Sequence, residues 1–300
     1  MRKKERKAVI LLPPRWGIAL ATLASLLLTG CYETVTGYKL IGEYQSPAPP
    51  GYWGDSKLSY NKNKELQLSI ALEKSTLSEF SQPPQKEVKL PGIPTLSVQN
   101  IIREKGLSSF ALPVFAGVMS PYFHLIYEGS RLKAIVHFTP NSHLQILNPQ
   151  GWSVKNEIKV EKTREAFVRA ITCSDDLQYL AVSYSYSPTL PLDHAIEIYK
   201  LNNQSNTFRF HRTLYLHHGM FFSDMLIDNN MLIINLQKGA RSTIKTSRVI
   251  FYDLEKESVE CEYIKKNYTF VRAAAVTPDH EYLIITADTI RLYRRTPRKK

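Results

Sequence analysis

Asp175, Asp176 and Asp279 are the carboxylates of this chain whose placement invites acid–base chemistry. Hydrolysis of a glycosidic bond needs two carboxyls about 5–10 Å apart across that bond. All three, however, sit in a segment that occurs twice, as Ser174-Asp175-Asp176-Leu177-Gln178 and Thr277-Pro278-Asp279-His280-Glu281. Turn capping alone calls for Ser, Thr and Asp there. Arg169 and Arg272 recur in the same way, inside identical Phe-Val-Arg-Ala tetrapeptides. Two guanidiniums can hold an anion or carboxylate bidentately, and a salt bridge to a neighbouring acid is the competing role. His211, His217 and His218 lie close in sequence. Adjacent histidines on a strand point to opposite faces, which disfavours a shared metal ion. Cys173 and Cys261 are 88 residues apart, in different repeats, and read as two buried thiols rather than a bridge. No GxSxG, no Gly-rich phosphate loop and no CxxC pair occurs. The expected catalytic, metal and cofactor sets are therefore all "none".

The remaining cysteine stands in a different setting. A basic head, Met1 to Lys7, precedes an uncharged run of 13 residues, Trp16 to Leu28, and then Thr29-Gly30-Cys31. As a helix that run spans about 20 Å, against about 30 Å for a bilayer core. It is short for a membrane anchor and right for the apolar region of an export signal. Leu28-Thr29-Gly30-Cys31 resembles the lipobox of bacterial lipoproteins. The resemblance implies cleavage before Cys31, with Leu28, Thr29 and Gly30 as the peptidase recognition residues. It also implies that the Cys31 thiol becomes a diacylglyceryl thioether on a palmitate-bearing residue. Residue 32 is Tyr rather than Asp. By the sorting rule of enteric lipoproteins this implies the outer membrane, facing the periplasm.

Removing residues 1–30 lowers the net charge from +12 to +7, because six of the 39 basic residues and one of the 27 acidic ones lie there. Five more positive residues crowd the last seven positions, Arg294 to Lys300. The basicity is thus mostly at the two ends, and no nucleic-acid-binding motif accompanies it. The C-terminal cluster reads as a solvated tail, with anionic headgroups as its other conceivable contact.

The elements that must position these residues are strands. With 17 tyrosines and 12 phenylalanines the composition favours pleated sheet and excludes disorder. The two Phe-Val-Arg-Ala copies are 103 residues apart, and the ungapped alignment gives seven identities in 18 positions. Half that distance predicts an intermediate copy, and Met231-Leu232-Ile233-Ile234 sits there; Leu132, Leu180, Leu232 and Leu283 are spaced by 48, 52 and 51 residues. A second column comprises Leu144–Leu147, Ile196–Tyr199, Val249–Tyr252 and Ile290–Tyr293. A third comprises Ser153–Val160, Phe208–Leu216 and Val259–Ile264. Repeats of this length with four short strands apiece are the signature of propeller blades.

Cys173-Ser174-Asp175-Asp176-Leu177-Gln178-Tyr179-Leu180 and its later copy resemble the "SPDGxYL" turn of bacterial propellers. Those families include the periplasmic propeller of the Tol system and the tryptophan-aspartate repeats. Leu177 and His280 stand where glycine is usual, and the Trp-Asp dipeptide is absent. The resemblance implies that Arg169 and Arg272 lie on strands lining the central channel. The expected fold is an all-β propeller of about five (four to six) four-stranded blades. Residues 1–30 are the expected signal peptide and 31–55 the lipidated cysteine with its tether, which contains Ser46-Pro47-Ala48-Pro49-Pro50-Gly51. Residues 56–109 supply N-terminal strands completing the propeller, 110–295 the repeated blades and 296–300 the tail. The last repeat has no fourth strand of its own, and an open edge invites wrong pairing. A strand at Glu65–Leu72 is the expected completion. Val98–Glu104 reads as one helical turn or two.

Two functions follow as expectations. One is a lipid-anchored module that binds envelope proteins through broad propeller faces. The other is a sugar- or peptidoglycan-directed enzyme or receptor with its site in the channel, built from the loops 185–194 and 237–247.

Overall fold

The computed structural model describes residues 33–45, 56–60, 66–74, 86–88, 96–104, 123–128, 131–139, 141–151, 153–161, 167–185, 194–216, 220–238, 246–266, 271, 273–277, 279–287 and 289–297. The described elements are all β-strands, and together they make a propeller. Two short N-terminal strands come first, β1 (Glu33–Val35) and β2 (Tyr38–Gln45). The first unit contains β3 (Ser56–Tyr60), β4 (Leu66–Lys74), β5 (Lys86–Val88) and β6 (Leu96–Glu104). The second contains β7 (Phe123–Glu128), β8 (Arg131–Phe138), β9 (His143–Leu147) and β10 (Val154–Val160). The third contains β11 (Phe167–Cys173), β12 (Tyr179–Ser185), β13 (His194–Asn202) and β14 (Thr207–Tyr215). The fourth contains β15 (Phe221–Asp228), β16 (Met231–Lys238), β17 (Thr246–Asp253) and β18 (Ser258–Lys266). The last repeat contributes β19 (Ala273–Val276), β20 (Tyr282–Thr286) and β21 (Thr289–Arg295).

The second, third and fourth units are antiparallel meanders from inner to outer strand. The outer strands of the second and third units meet in a short parallel pairing, Lys159 with Thr207 and Val160 with Phe208. The first unit departs from the meander: its order is β3-β4-β6-β5, with β4 parallel to β6. Val98–Glu104, expected as one or two helical turns, is corrected to strand: it lies within β6, where pairing with β4 and β5 satisfies its backbone.

The last repeat is completed by β2, which runs antiparallel to β21 from Tyr38 opposite Arg295 to Gln45 opposite Thr289. Two expectations are corrected here. The completing strand is 38–45, not 65–72; Glu65 is not described, and 66–72 belong to β4 of the first unit. Residues 33–45, read as the start of a tether, are sheet. β1 adds a fifth strand to the fourth unit beside β18, with Glu33 opposite Lys265. The physical reason is edge satisfaction. β21 would otherwise present a row of unpaired N–H and C=O groups.

Alternation then explains why the second strands of the third, fourth and last units are largely apolar and buried. In β12, Leu180 and Val182 pack with the second unit, whereas Tyr179 and Ala181 pack with the fourth. In β16, Leu232, Ile234 and Leu236 face the third unit, and Met231 and Ile233 face the last. In β20, Leu283 and Ile285 face the fourth unit, and Ile284 packs on Leu58, Leu66 and Leu68 of the first. The equivalent leucines 180, 232 and 283 thus each pack against the preceding unit. A strand buried on both faces loses the polar half of the usual pattern. Side-chain hydrogen bonds stitch the layers: Ile227 N–H donates to Thr172 Oγ1 at 3.0 Å, and Asn235 Nδ2 to the Val271 carbonyl at 2.9 Å.

Two rims result. Tight turns at 174–178, 203–206, 229–230, 254–257, 277–281 and 36–37 make the turn rim. The opposite, loop rim holds the ends of β16 and β18 and the starts of β1 and β17, as the register fixes. Leu232 is fully buried between two units, whereas Leu40 is 44% exposed. Leu232→Ala should lower unfolding free energy by about 3 kcal/mol, and Leu40→Ala by under about 1 kcal/mol. Urea titration of both variants checks it; equal small effects would contradict inter-unit packing as the main source of stability.

Candidate functional site

The residues of the lipobox-like segment, Leu28, Thr29, Gly30 and Cys31, lie outside the described residues, as do Arg272, His217 and His218. So do most of the loops 185–194 and 237–247. Arg169 is described, on the inner strand β11. It is the extra residue of a β-bulge, since Val168 pairs with Tyr184 and Ala170 with Ser183. Strict alternation with Val168 therefore does not set its direction. It is half-buried and engaged by neighbours rather than standing open. Ser223 is the corresponding extra residue in β15.

Asp176 and Asp279 occupy one turn geometry, with the same backbone bonds in both copies. Asp176 accepts from Gln178 N–H at 3.0 Å, and Asp279 accepts from Glu281 N–H at 3.0 Å. Ser174 Oγ accepts from Tyr179 N–H and Thr277 Oγ1 from Tyr282 N–H, at 3.0 and 2.9 Å. Leu177 and His280 follow with φ of 60° and 59°. That left-handed conformation is the one glycine supplies at low cost in the resembling families. Asp175 instead receives Lys57 Nζ of the first unit at 2.7 Å. The three carboxylates that invited acid–base chemistry are thus held as turn caps and an ion-pair partner.

A second turn type also repeats. Asn202 Oδ1 accepts from the N–H groups of Gln204 and Ser205, and Asp253 Oδ1 from those of Glu255 and Lys256. Each turn ends in a left-handed residue, Asn206 at 47° and Glu257 at 53°. Glu257 then receives two groups from the outer strand β14: His211 Nε2 lies at 2.9 Å and Arg212 Nη1 at 3.4 Å from its carboxylate. Arg212 also donates to Tyr252 Oη at 2.7 Å. His211 is therefore a link between the third and fourth units.

The sequence reading did not anticipate two charged clusters where the N-terminal strands close the fold. On the turn rim, Asp253, Glu260 and His280 bring three ligand-type atoms within 4.8 Å of one another. Their carboxylates already have cations: Lys256 Nζ is 2.6 Å from Asp253, and Arg295 pairs with Glu260. Tyr38 Oη donates to the His280 carbonyl at 2.9 Å. The grouping works as a latch between β2, β18 and the 277–281 turn. Toward the loop rim, Glu33 pairs with Arg291 and accepts from Tyr293 Oη, with Lys265 Nζ at 3.9 Å. Arg291 also reaches Glu43 at 3.2 Å. Burial raises the Glu33 carboxyl above its ordinary value, opposed by Lys265. These clusters join residues more than 200 positions apart, so no local motif announces them.

A fully buried carboxylate, Glu197, accepts from Tyr199 Oη at 2.5 Å beside Tyr184. Cys173 and Cys261 are free, buried thiols in different core clusters, and burial pushes both above their ordinary values. Arg294 and Arg295, read with the basic tail, belong to β21; Arg294 pairs with Glu281 and Arg295 with Glu260. The outward-facing surface is different in kind. Among the described residues, 209–215 of β14 are paired on one side only. Phe210 is 41% and Tyr215 72% exposed along that edge. A shallow depression of about 380 Å³ lies beside it, lined by Lys200, Asn203, Arg209, Phe210 and His211.

No family model matches the chain, and no curated protein matches it in sequence. Among solved structures it is similar to the β-propeller domain of Cps50 (Swd1) from Myceliophteria thermophila. That likeness has 10% identity and a TM-score of 0.40, and covers 80% of this chain and 82% of that one. It is also similar to Sqt1 of Saccharomyces cerevisiae, at 11% identity and a TM-score of 0.33, over 58% of this chain and 46% of that one. No residue role is carried over from either. The fold assignment rests on the strand pairing.

Two outcomes test this account of the carboxylates. Asp279→Ala should cost about 1 kcal/mol of stability, through the lost turn bond. Asp253 is held below its ordinary value of 3.8: burial acts upward, and the bonds from Lys256 and Glu255 outweigh it. A depressed carboxyl contributes stability above its unfolded value that is lost as pH falls through the folded one. Asp253→Asn should therefore flatten the acid limb of a stability–pH profile below about pH 4; an unchanged limb would contradict the latch.

Proposed function

We propose that this chain is a lipid-anchored protein of the bacterial cell envelope, whose five-bladed propeller binds other proteins rather than transforming a small molecule. The anchor reading rests on Leu28-Thr29-Gly30-Cys31 behind a basic head and an apolar run. Tyr32 after the cysteine favours the outer membrane, facing the periplasm. One observation carries the binding role. The carboxylates available for acid–base work are tied into turns and ion pairs, while the β14 edge presents exposed Phe210 and Tyr215. A one-sided strand with aromatic side chains suits addition of a partner's strand. Arg209 and Arg212 interrupt that edge with charge, which restrains indiscriminate pairing.

The experiment is affinity capture from solubilised envelopes, with full-length wild type, Cys31→Ser and Phe210→Ser/Tyr215→Ser compared. Wild type should take up an alkyne-palmitate label and retain a defined partner. Cys31→Ser should lose the label and leave the membrane fraction. The double variant should keep the label and lose the partner by about tenfold or more, the scale of two aromatic hot-spot residues. Retention of acyl label by Cys31→Ser would refute the anchor. Equal capture by wild type and the β14 variant would refute the edge as the binding surface.

A further inference from the structure

We propose that the segment received by the β14 edge is acidic: an extended strand of a partner protein that alternates apolar residues with Asp or Glu. This rests on the β14 edge being the binding surface. The chain already lays one strand of its own on that edge. β10 runs parallel to β14 there, with Lys159 beside Thr207 and Val160 beside Phe208, and Glu161 N–H donates to the Phe208 carbonyl at 2.9 Å. That pairing stops short of 209–215, the stretch left for a second strand among the described residues. It also shows what suits the edge: apolar Val160 beside Phe208, then acidic Glu161 beside Arg209.

The register sorts the side chains of β14 by chemistry. Phe208, Phe210 and Tyr215 pair with Leu201, Tyr199 and Ala195 on one face. Arg209 and Arg212 pair with Lys200 and Ile198 on the other, His211 being the extra residue of a bulge. None of residues 207–215 is acidic. Lys200 and Arg209 stand directly opposite each other, and like charges so placed destabilise a sheet. Glu161 answers Arg209 only at 3.8 Å, both side chains being about half exposed, and Arg212 is taken by Glu257. Lys200 has the Tyr179 ring at 5.5 Å. Among the described residues no carboxylate pairs with Lys200, or with Lys159 on the same face as Arg209. The cations left to an incoming strand are thus Lys159, Lys200 and the open side of Arg209. The shallow depression lined by Lys200, Asn203 and Arg209 gives a carboxylate room to reach the last two. Exposed Phe210 and Tyr215 take the apolar residues on the opposite face, so period-two alternation calls for a strand with apolar and acidic sides.

The test titrates full-length protein, in neutral detergent, into two fluorescent blocked peptides of about eight residues, one alternating Val with Glu and one alternating Val with Lys. The acidic peptide should bind about tenfold more tightly, the scale of two partly exposed attractions set against two repulsions. Salt at about 0.5 M should remove most of that difference. Lys200→Glu/Arg209→Glu should reverse the preference, and Phe210→Ser/Tyr215→Ser should weaken both peptides. Benzoylphenylalanine at position 213 should cross-link to the acidic peptide; a cross-link to the chain's own residues 162–166 in its place would overturn the proposal. Equal affinity for the two peptides, or a preference unmoved by charge reversal, would overturn the acidic chemistry, while weakening of both by the aromatic variant leaves the edge standing. No binding of either peptide at millimolar concentration would overturn the edge and its chemistry together.

Discussion

The hydrogen-bonded edge of β21 is the constraint on which the rest of the structure depends. Each repeat lays down its strands from the inside outward, and the last repeat has three described strands of its own. β2 supplies the fourth from the far end of the sequence, and the two charged clusters hold it there. Arg291 joins Glu33 to Glu43, Arg295 joins β21 to Glu260, and Tyr38 reaches the carbonyl of His280. Thr296 N–H donates to the Gly37 carbonyl at 3.0 Å, fixing the turn between β1 and β2. Because β1 lies on the fourth unit and β2 on the last, one short segment fastens two neighbouring sheets.

Between the sheets the stabilising material is apolar and shared. No unit has a core of its own, since every described hydrophobic cluster draws residues from two units. Some of the polar groups admitted to those layers come with partners of known geometry, such as Glu197 with Tyr199 and Thr172 with the backbone of β15. An unsatisfied buried carboxylate would cost several kcal/mol, so such pairs fix how units stack as much as how firmly.

Much of the strand layout was legible because it is local. The columns through Leu180, Leu232 and Leu283, and those through Tyr199, Tyr252 and Tyr293, coincide with β12, β16 and β20 and with β13, β17 and β21. The Asp176 and Asp279 turns were legible as turns for the same reason. The segment 33–45 was not: its partner strand begins at Thr289, and the prolines that follow it suggested a tether. The parallel pairing of β4 with β6 was hidden too, because side-chain alternation is the same for parallel and antiparallel neighbours. Arg169 illustrates a third limit. A bulge shifts the register by one residue, and period-two counting does not reveal where that happens.

The closure also fixes the timing of folding. During synthesis the segment 38–45 precedes its ladder partner at 289–295 by more than 240 residues. Until then the segment carrying Leu40 and Ile41 lacks the ladder partner it has in the folded chain. Contacts of such long sequence separation are slow to form, so ring closure is the natural final step.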